Sequence, residues 1–220
     1  MIIYFIRHGA TEGNLEKRYI GRTDECLCPE GIERLKELKK FMPDIQAVSN
    51  TAGCKSAEAV FTSPMKRCIE TADILFPDKK NIIIDDFREC DFGDFEGYNY
   101  QELNGNADYQ HWIDSNGQIA FPNGESPQEF RQRCINGFMQ MLQIICGTCK
   151  MNDAALDKGC GRNGISAVAA VVHGGTIMSI LEKYEKHHEY YRWQCGNGSG
   201  YSAVYKDCLL YTSPSPRDTR

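Results

Sequence analysis

Ile2 to Ile6 is an unbroken apolar run of β-prone residues, the pattern of a short strand covered on both faces within a parallel sheet. It stops at Arg7-His8-Gly9. Pro29 then opens a stretch in which Ile32, Leu35, Leu38 and Phe41 recur at helical spacing with Lys and Glu opposite, so a helix with one apolar face is predicted there. Ala59 to Thr62 reads as a second strand. Ser63-Pro64 is suited to cap and start the next helix, whose apolar face is expected to be Met65, Ile69, Ala72 and Leu75 or Phe76. Ile82 to Ile84 is a third strand candidate, followed by the polar, Gly-containing segment from Arg88 to Gly97. Ser126-Pro127-Gln128-Glu129 has the form of a capping box with Pro at the first helical position, and Phe130, Cys134, Phe138, Met141, Leu142 and Ile145 continue it. Val168 to Val172 is a fourth strand ending at His173-Gly174-Gly175, an apolar helix is expected from about Thr176, and Tyr201 to Tyr205 is a fifth strand. Strands and helices that alternate in this way predict an α/β sandwich on a mostly parallel sheet. Ser49 to Ala57 and Gly147 to Ile165 interrupt the alternation and read as surface loops.

With 220 residues the chain fits one such domain and can bury a substantial core. Its formal charge of -5 argues against a broad nucleic-acid surface, so any anion site has to be a local pocket. No apolar stretch approaches the roughly 18 residues of a membrane span and no export signal is evident, so a soluble, cytoplasmic protein is expected, free of membrane and nucleic-acid partners. The 11 cysteines are then expected to be reduced thiols. Cys146-Gly147-Thr148-Cys149 and Cys26-Leu27-Cys28 have spacings that suit a metal or a redox pair, but no second close pair completes a zinc site. Residues 208–220 look like translated adapter sequence read through the end of a fragment, or else a Pro/Ser-rich tail. We therefore place the domain at 1–207 and leave the rest outside the fold.

Two strands end in similar sequence, Arg7-His8-Gly9 and His173-Gly174-Gly175, and ligands bind at the carboxyl ends of strands in open α/β sheets. A lone histidine at a strand end is usually structural. Two of them on one rim, each followed by glycine that allows close backbone approach, point to chemistry. Arg7 and Arg67 adjoin strand ends, and Arg18, Arg22 and Arg88 lie in loops within reach of the same rim. Arginine binds phosphate in a planar fork, so a cluster in an acidic protein suggests a phosphate pocket. Solvated surface charge is the better reading for Arg34 and Arg192, and it stays open for Arg22.

Arg7-His8-Gly9-Ala10-Thr11-Glu12-Gly13-Asn14, Gly21-Arg22-Thr23-Asp24 with Gly31, Ser63-Pro64 with Arg67 and Thr71-Ala72, Glu89 with Phe92-Gly93-Asp94-Phe95-Glu96-Gly97, Gly124-Glu125-Ser126 and His173-Gly174 follow one another in order. This succession resembles the histidine phosphatase superfamily in its phosphoglycerate-mutase-like branch, which includes small bacterial enzymes such as α-ribazole phosphatases. The resemblance runs from residue 2 to about residue 205. It implies a three-layer α/β sandwich with a mostly parallel central sheet flanked by helices. It also implies that His8 is the nucleophile, its second ring nitrogen held by backbone at Gly9, and that His173 is catalytic beside it. Arg7, Asn14, Arg67 and Gly174 would bind phosphate, with Glu89 as general acid and base in preference to Asp86, Asp91 or Glu96. No cofactor and no metal are implied.

Cys28 stands where the family commonly has Ser or Thr before the helix-opening Pro, Val172 where Ser or Ala is frequent, and the loop from Ser49 to Ala57 looks inserted. Mutases of the branch usually carry longer insertions between the acidic block and Gly-Glu-Ser, whereas 26 residues separate Gly97 from Gly124. A phosphatase is therefore expected, acting on a small phosphorylated metabolite as a monomer or homodimer. A phosphoglycerate mutase and a non-catalytic phosphate-binding module are the alternatives. Residues 98–122 are expected to form a small cap. Its Tyr98, Tyr100, Tyr109, Trp112 and Phe121 either stack on a leaving group or, the preferred reading, build the cap's own apolar core.

Overall fold

A computed structural model describes residues 1–41, 57–146, 165–186 and 188–213. Its strands are β1 (Ile2–Arg7), β2 (Ala59–Thr62), β3 (Asn81–Ile83), β4 (Ala167–Val172), β5 (Gly200–Lys206) and β6 (Leu209–Ser213). They form one sheet in the order β3-β2-β4-β1-β5-β6. β1, β2, β3 and β4 run parallel, and β5 and then β6 each pair antiparallel to the preceding strand. The predicted mostly parallel α/β sheet is therefore present. It also reaches beyond the 1–207 boundary, because β6 closes its edge and Leu210 is fully buried.

Side chains of β1 alternate across the sheet, as a period of two requires. Ile3 and Phe5 pack on one face with Phe138, Met141, Ile177 and Ile180, drawn from α5 (Pro127–Cys146) and α6 (Gly174–Tyr184). Tyr4 and Ile6 face the opposite side, against Leu35 and Leu38 of α2 (Pro29–Phe41) and Cys68, Ala72 and Leu75 of α3 (Lys66–Leu75). β4 is buried along its whole length, and its alanines let helices approach both faces. Two short α-helices, α1 (Glu12–Leu15) and α4 (Ala107–Asp114), and 3-10 turns at Asp85–Phe87, Gly93–Phe95 and Tyr190–Trp193 complete the described elements. Among the described residues no helix is long and apolar enough to cross a membrane.

Several local expectations are refined. The capping box at the start of α5 forms, with Glu129 N donating to Ser126 Oγ at 3.2 Å and Ser126 N to the Glu129 carboxylate at 3.0 Å. Cys28 does cap α2 after all, its sulfur accepting from Gly31 N at 3.3 Å. α3 starts at Lys66, Met65 is its N-cap, and no side chain caps it. Its inward face is Arg67, Cys68, Thr71, Ala72 and Leu75 rather than the purely apolar set, with Ile69 only half-buried. The helix is turned so that Arg67 enters the protein. α6 starts at Gly174, two residues before the expected Thr176. Cys26, Cys28, Cys68, Cys90, Cys134, Cys195 and Cys208 are free thiols, whereas Cys146 is disulfide-bonded, against the expectation of reduced thiols throughout. The predicted loops at 49–57 and 147–165 lie almost wholly outside the described residues, as do residues 214–220.

The cap resolves in favour of its own core. Tyr109, Trp112 and Phe121 pack with Tyr19, Phe92 and Phe95, Trp112 stacking on Phe121 at a centroid distance of 5.1 Å. Tyr98 and Tyr100 are instead exposed.

Candidate active site

Three adjacent parallel strands, β2, β4 and β1, end side by side, and the residues that follow them are Ser63, His173 and His8. Ser63 N donates to Val171 O at 3.1 Å and His8 N to Val172 O at 3.0 Å, so sheet hydrogen bonding fixes this row. The two imidazoles lie edge to face with centroids 5.1 Å apart, and both are buried.

His8 Nδ1 is 2.7 Å from Gly9 O. A carbonyl only accepts, so Nδ1 carries the proton and Nε2 keeps its lone pair. Burial pushes the His8 pKa well below the ordinary imidazole value, and the Arg67 and Arg7 charges add to this against the Gly9 hydrogen bond. The ring is thus neutral, with Nε2 as its nucleophilic atom. His173 is shifted the same way, by burial first and then by Arg67, His8 and Arg7.

Arg7 donates through Nη1 to Cys195 O at 2.7 Å, while its Nε is buried without a protein partner. Gly174 lies alongside, where an added Cβ would sit 3.5 Å from Nε. Arg67 is 1% exposed, and its guanidinium donates to Thr23 O, Ile20 O and Gly21 O at 2.9, 3.3 and 3.0 Å. That loop is clamped by Glu96, which accepts from Gly21 N, Arg22 N and the Thr23 hydroxyl. Glu96 is therefore committed to shaping the arginine's seat. Arg22 is exposed and pairs with Asp91 at 3.5 Å. Arg18 is tied to Glu16 and Glu102 away from the row, and Arg34, Arg88 and Arg192 are exposed.

Glu89 brings Oε2 to 3.7 Å from His173 Nδ1, and Cys90 N donates to its Oε1 at 3.0 Å. Burial raises its pKa, with Cys90 N–H, Arg67, Arg7 and Arg133 pulling the other way. Asp86 and Asp91 lack this juxtaposition; Asp91 accepts from Gly93 N and faces Arg22. The Glu89 backbone is held from α5. All five Arg133 N–H donors are engaged, two with the Glu125 carboxylate (2.9 and 2.6 Å) and three with Asp86 O, Arg88 O and Glu89 O (3.1, 2.8 and 3.2 Å).

Asn14 sits at the N3 position of α1, where Thr11 and Asn14 form a capping box. Its Oδ1 accepts from Thr11 N and from Asn197 Nδ2, at 3.2 and 3.0 Å. Asn197 also donates to His8 O at 3.2 Å and bolts the strand end to the segment before β5. Sequence reasoning passed over Asn197, Arg133, Thr71 and the side-chain role of Ser63. Thr71 accepts from Gly9 N and donates to Arg67 O, linking the loop after His8 to the arginine. Two of the glycines, Gly9 and Gly175, also answer to packing. A Cβ on Gly9 would come within 2.7 Å of Leu35 and one on Gly175 within 2.8 Å of Phe130, so both permit helix packing.

Elsewhere, Glu12, Cys28 and Glu30 bring ligand-type atoms within 4.8 Å of one another. Both carboxylates are exposed and the sulfur already accepts the Gly31 N–H.

The chain is 27% identical over 181 residues to the "Uncharacterized phosphatase PhoE" of Bacillus subtilis, covering 81% of this chain and 75% of that protein. It is 26% identical over 193 residues to a broad-specificity phosphatase of Saccharomyces cerevisiae, covering 84% and 71%. A crystal structure of a putative alpha-ribazole-5'-P phosphatase from Escherichia coli superposes with a TM-score of 0.77 at 20% identity, covering 97% of this chain and 95% of that one, and so shares the fold. The profile of the histidine phosphatase superfamily (branch 1) matches residues 3–210, and the chain belongs to that family.

Proposed function

We propose that the protein is a phosphomonoesterase that hydrolyses a small phosphorylated metabolite through a phosphohistidine on His8. The observation that carries this reading is the tautomer lock. Gly9 O holds the Nδ1 proton, so a buried, neutral ring offers Nε2 in the field of the Arg67 and Arg7 guanidinium groups. Nε2 attacks phosphorus, the phosphorus to ester-oxygen bond breaks, and the leaving alkoxide takes a proton from Glu89. A nucleophilic intermediate divides one hard displacement into two easier ones. Glu89 then removes a proton from water, hydroxide attacks phosphorus, the nitrogen to phosphorus bond breaks, and inorganic phosphate leaves. Burial favours the protonated Glu89 that the first step uses.

Arg7, with its buried and unpartnered Nε, and Arg67 supply the positive charge on which the equatorial oxygens rest. The first N–H groups of α6, at Gly174 and Gly175, have no side-chain cap and add donors for the same anion. Asn14 lies next to the nucleophile loop and completes this cradle. The short cap favours hydrolysis over a mutase, which has to enclose its substrate while the phosphoryl group is returned. The phosphatase names of the relatives point the same way.

The test is brief incubation with a chromogenic phosphate ester under chelator, comparing the intact chain with His8→Ala and trapping acid-labile, base-stable phosphoprotein. Turnover and labelling that both vanish in His8→Ala are expected. Hydrolysis that persists in His8→Ala would overturn the reading. Phosphoryl return to 3-phosphoglycerate without net hydrolysis would instead indicate a mutase.

A further inference from the structure

Ser63 was expected to cap a helix, yet its hydroxyl is buried at the centre of the site, 2.8 Å from His173 Nε2. We propose that Ser63 is a positioning residue that sets the tautomer of His173, placing the ring proton on Nδ1. The proposal deepens the hydrolytic reading above and rests on it for the claim that His173 meets the transferred phosphoryl group.

Ser63 Oγ accepts from Met65 N at 3.3 Å. Its single proton is then free to go to the best acceptor within reach. The nearest is His173 Nε2; Cys68 Sγ, also hydrogen-bonded to Ser63 and 3.6 Å from that nitrogen, is the competitor, and sulfur is a weak partner. If Nε2 accepts, a neutral ring carries its proton on Nδ1. His173 is fully buried, and the Arg67 and Arg7 charges also act against its protonation, which keeps it neutral.

Nδ1 is the nitrogen that faces Glu89 Oε2 at 3.7 Å. A proton there gives the ring a donor on its anion-facing side. The opposite tautomer would turn a lone pair towards the phosphoryl oxygens, and free imidazole side chains in water favour that opposite tautomer. A dedicated partner is therefore needed. The site contains the same device twice. A backbone carbonyl pins the proton of His8 on Nδ1 from the accepting side. At His173 a hydroxyl pins it on the same atom by donating to the other nitrogen. A proton on the wrong nitrogen leaves geometry intact while removing function, as other imidazole-dependent sites show.

The test uses the full chain labelled with 15N at its five histidines, His173 being assigned by His173→Asn, and long-range nitrogen-proton correlation spectra of the ligand-free enzyme. The expected wild-type spectrum shows a pyridine-like Nε2 and a pyrrole-like Nδ1 at His173. In Ser63→Ala the pattern shifts towards the opposite tautomer and kcat/KM falls roughly 10- to 100-fold, the range for removing an imidazole's orienting partner. Ser63→Thr keeps the hydroxyl and restores both. A protonated Nε2 in the wild type overturns the proposal, even if Ser63→Ala fails to fold. An unchanged tautomer in Ser63→Ala overturns it equally, as does an activity loss that Ser63→Thr shares. The spectra need no turnover, so failure of the hydrolytic reading, seen as absent His8 labelling, is distinguishable from failure of this one.

Discussion

Replacing Arg133 by Met removes a guanidinium that engages five acceptors at once, and the two losses it causes can be separated. The first is energetic. Glu125 stands 15% exposed and loses its ion-pair partner, itself 10% exposed. Breaking such a buried pair from one side costs about 3–5 kcal/mol, because a desolvated charge is left behind. For a chain of this size each kcal/mol lowers the melting temperature by about 2–4 °C, so a fall of about 6–20 °C is expected. The second loss is positional, since the carbonyls of Asp86, Arg88 and Glu89 lose the anchor that holds the proposed acid in place. The double variant Arg133→Met with Glu125→Met removes the stranded charge and should recover most of the stability. It should recover little of the kcat, since the carbonyls remain unanchored. Denaturant unfolding at pH 7 and steady-state kinetics on one ester measure the two effects. A single-variant loss below about 1 kcal/mol, or kcat restored along with stability in the double variant, would refute the reasoning.

Glu89→Gln should cost roughly 10²- to 10⁴-fold in kcat on an alkyl phosphate, the usual contribution of a positioned acid; on an aryl phosphate, whose leaving group needs little protonation, the labelling step should slow far less. Equal losses in rapid-quench labelling with both esters would remove Glu89 from the acid role. His8 and His173 are both held neutral, so the unfolded chain gains protons before the folded one as pH drops through about 6.5. Their contribution to stability is full above that pH and is lost below it, at about 1.4 kcal/mol per pH unit for each ring. Glu89, raised by burial, contributes in the opposite sense, since its share is present at low pH and lost as pH rises. Unfolding midpoints from pH 7.5 to 5 should therefore fall less steeply in His8→Asn than in the wild type, and an identical slope would contradict the buried-neutral assignment. Trp112→Ala should lower stability by about 3 kcal/mol through loss of the cap core, with equal kinetic effects on bulky and minimal esters. A loss confined to the bulky ester would instead indicate substrate contact.

The parts of this site that could be read from sequence are those in which one residue type carries the chemistry at a strand end. His8 and His173 were legible because an apolar run stops at each, and Arg67 because it follows a strand in the order typical of the family. What escaped depends on contacts between distant segments. Asn197 reaches His8 across 189 positions, and Arg133 reaches the Glu89 backbone from the helix predicted after Ser126. An apolar stripe at Phe130, Cys134 and Phe138 gives no hint that the arginine beside it points inward. The hydroxyl of Ser63 was assigned to a local cap because sequence shows the next helix but not the ring opposite. Leu209 to Ser213 alternates too briefly, next to a Pro/Ser-rich tail, to announce a strand that only its pairing with β5 reveals.

The position of β1 in the sheet also sets the order in which the protein can become active. Its neighbours are β4 and β5, so Ile2 to Arg7 pair with residues 167–172 on one side and 200–204 on the other. The two backbone bonds that seat Arg7 reach Gly198 and Ser199. During synthesis His8 is among the first residues made, yet its strand stays without partners until nearly the whole chain exists, roughly 10–40 s later at 5–20 residues per second. Contacts of such long range also slow folding in vitro. A nascent or truncated chain that stops short of β4 carries His8 on an exposed apolar strand with neither neighbour, a target for chaperones and proteases.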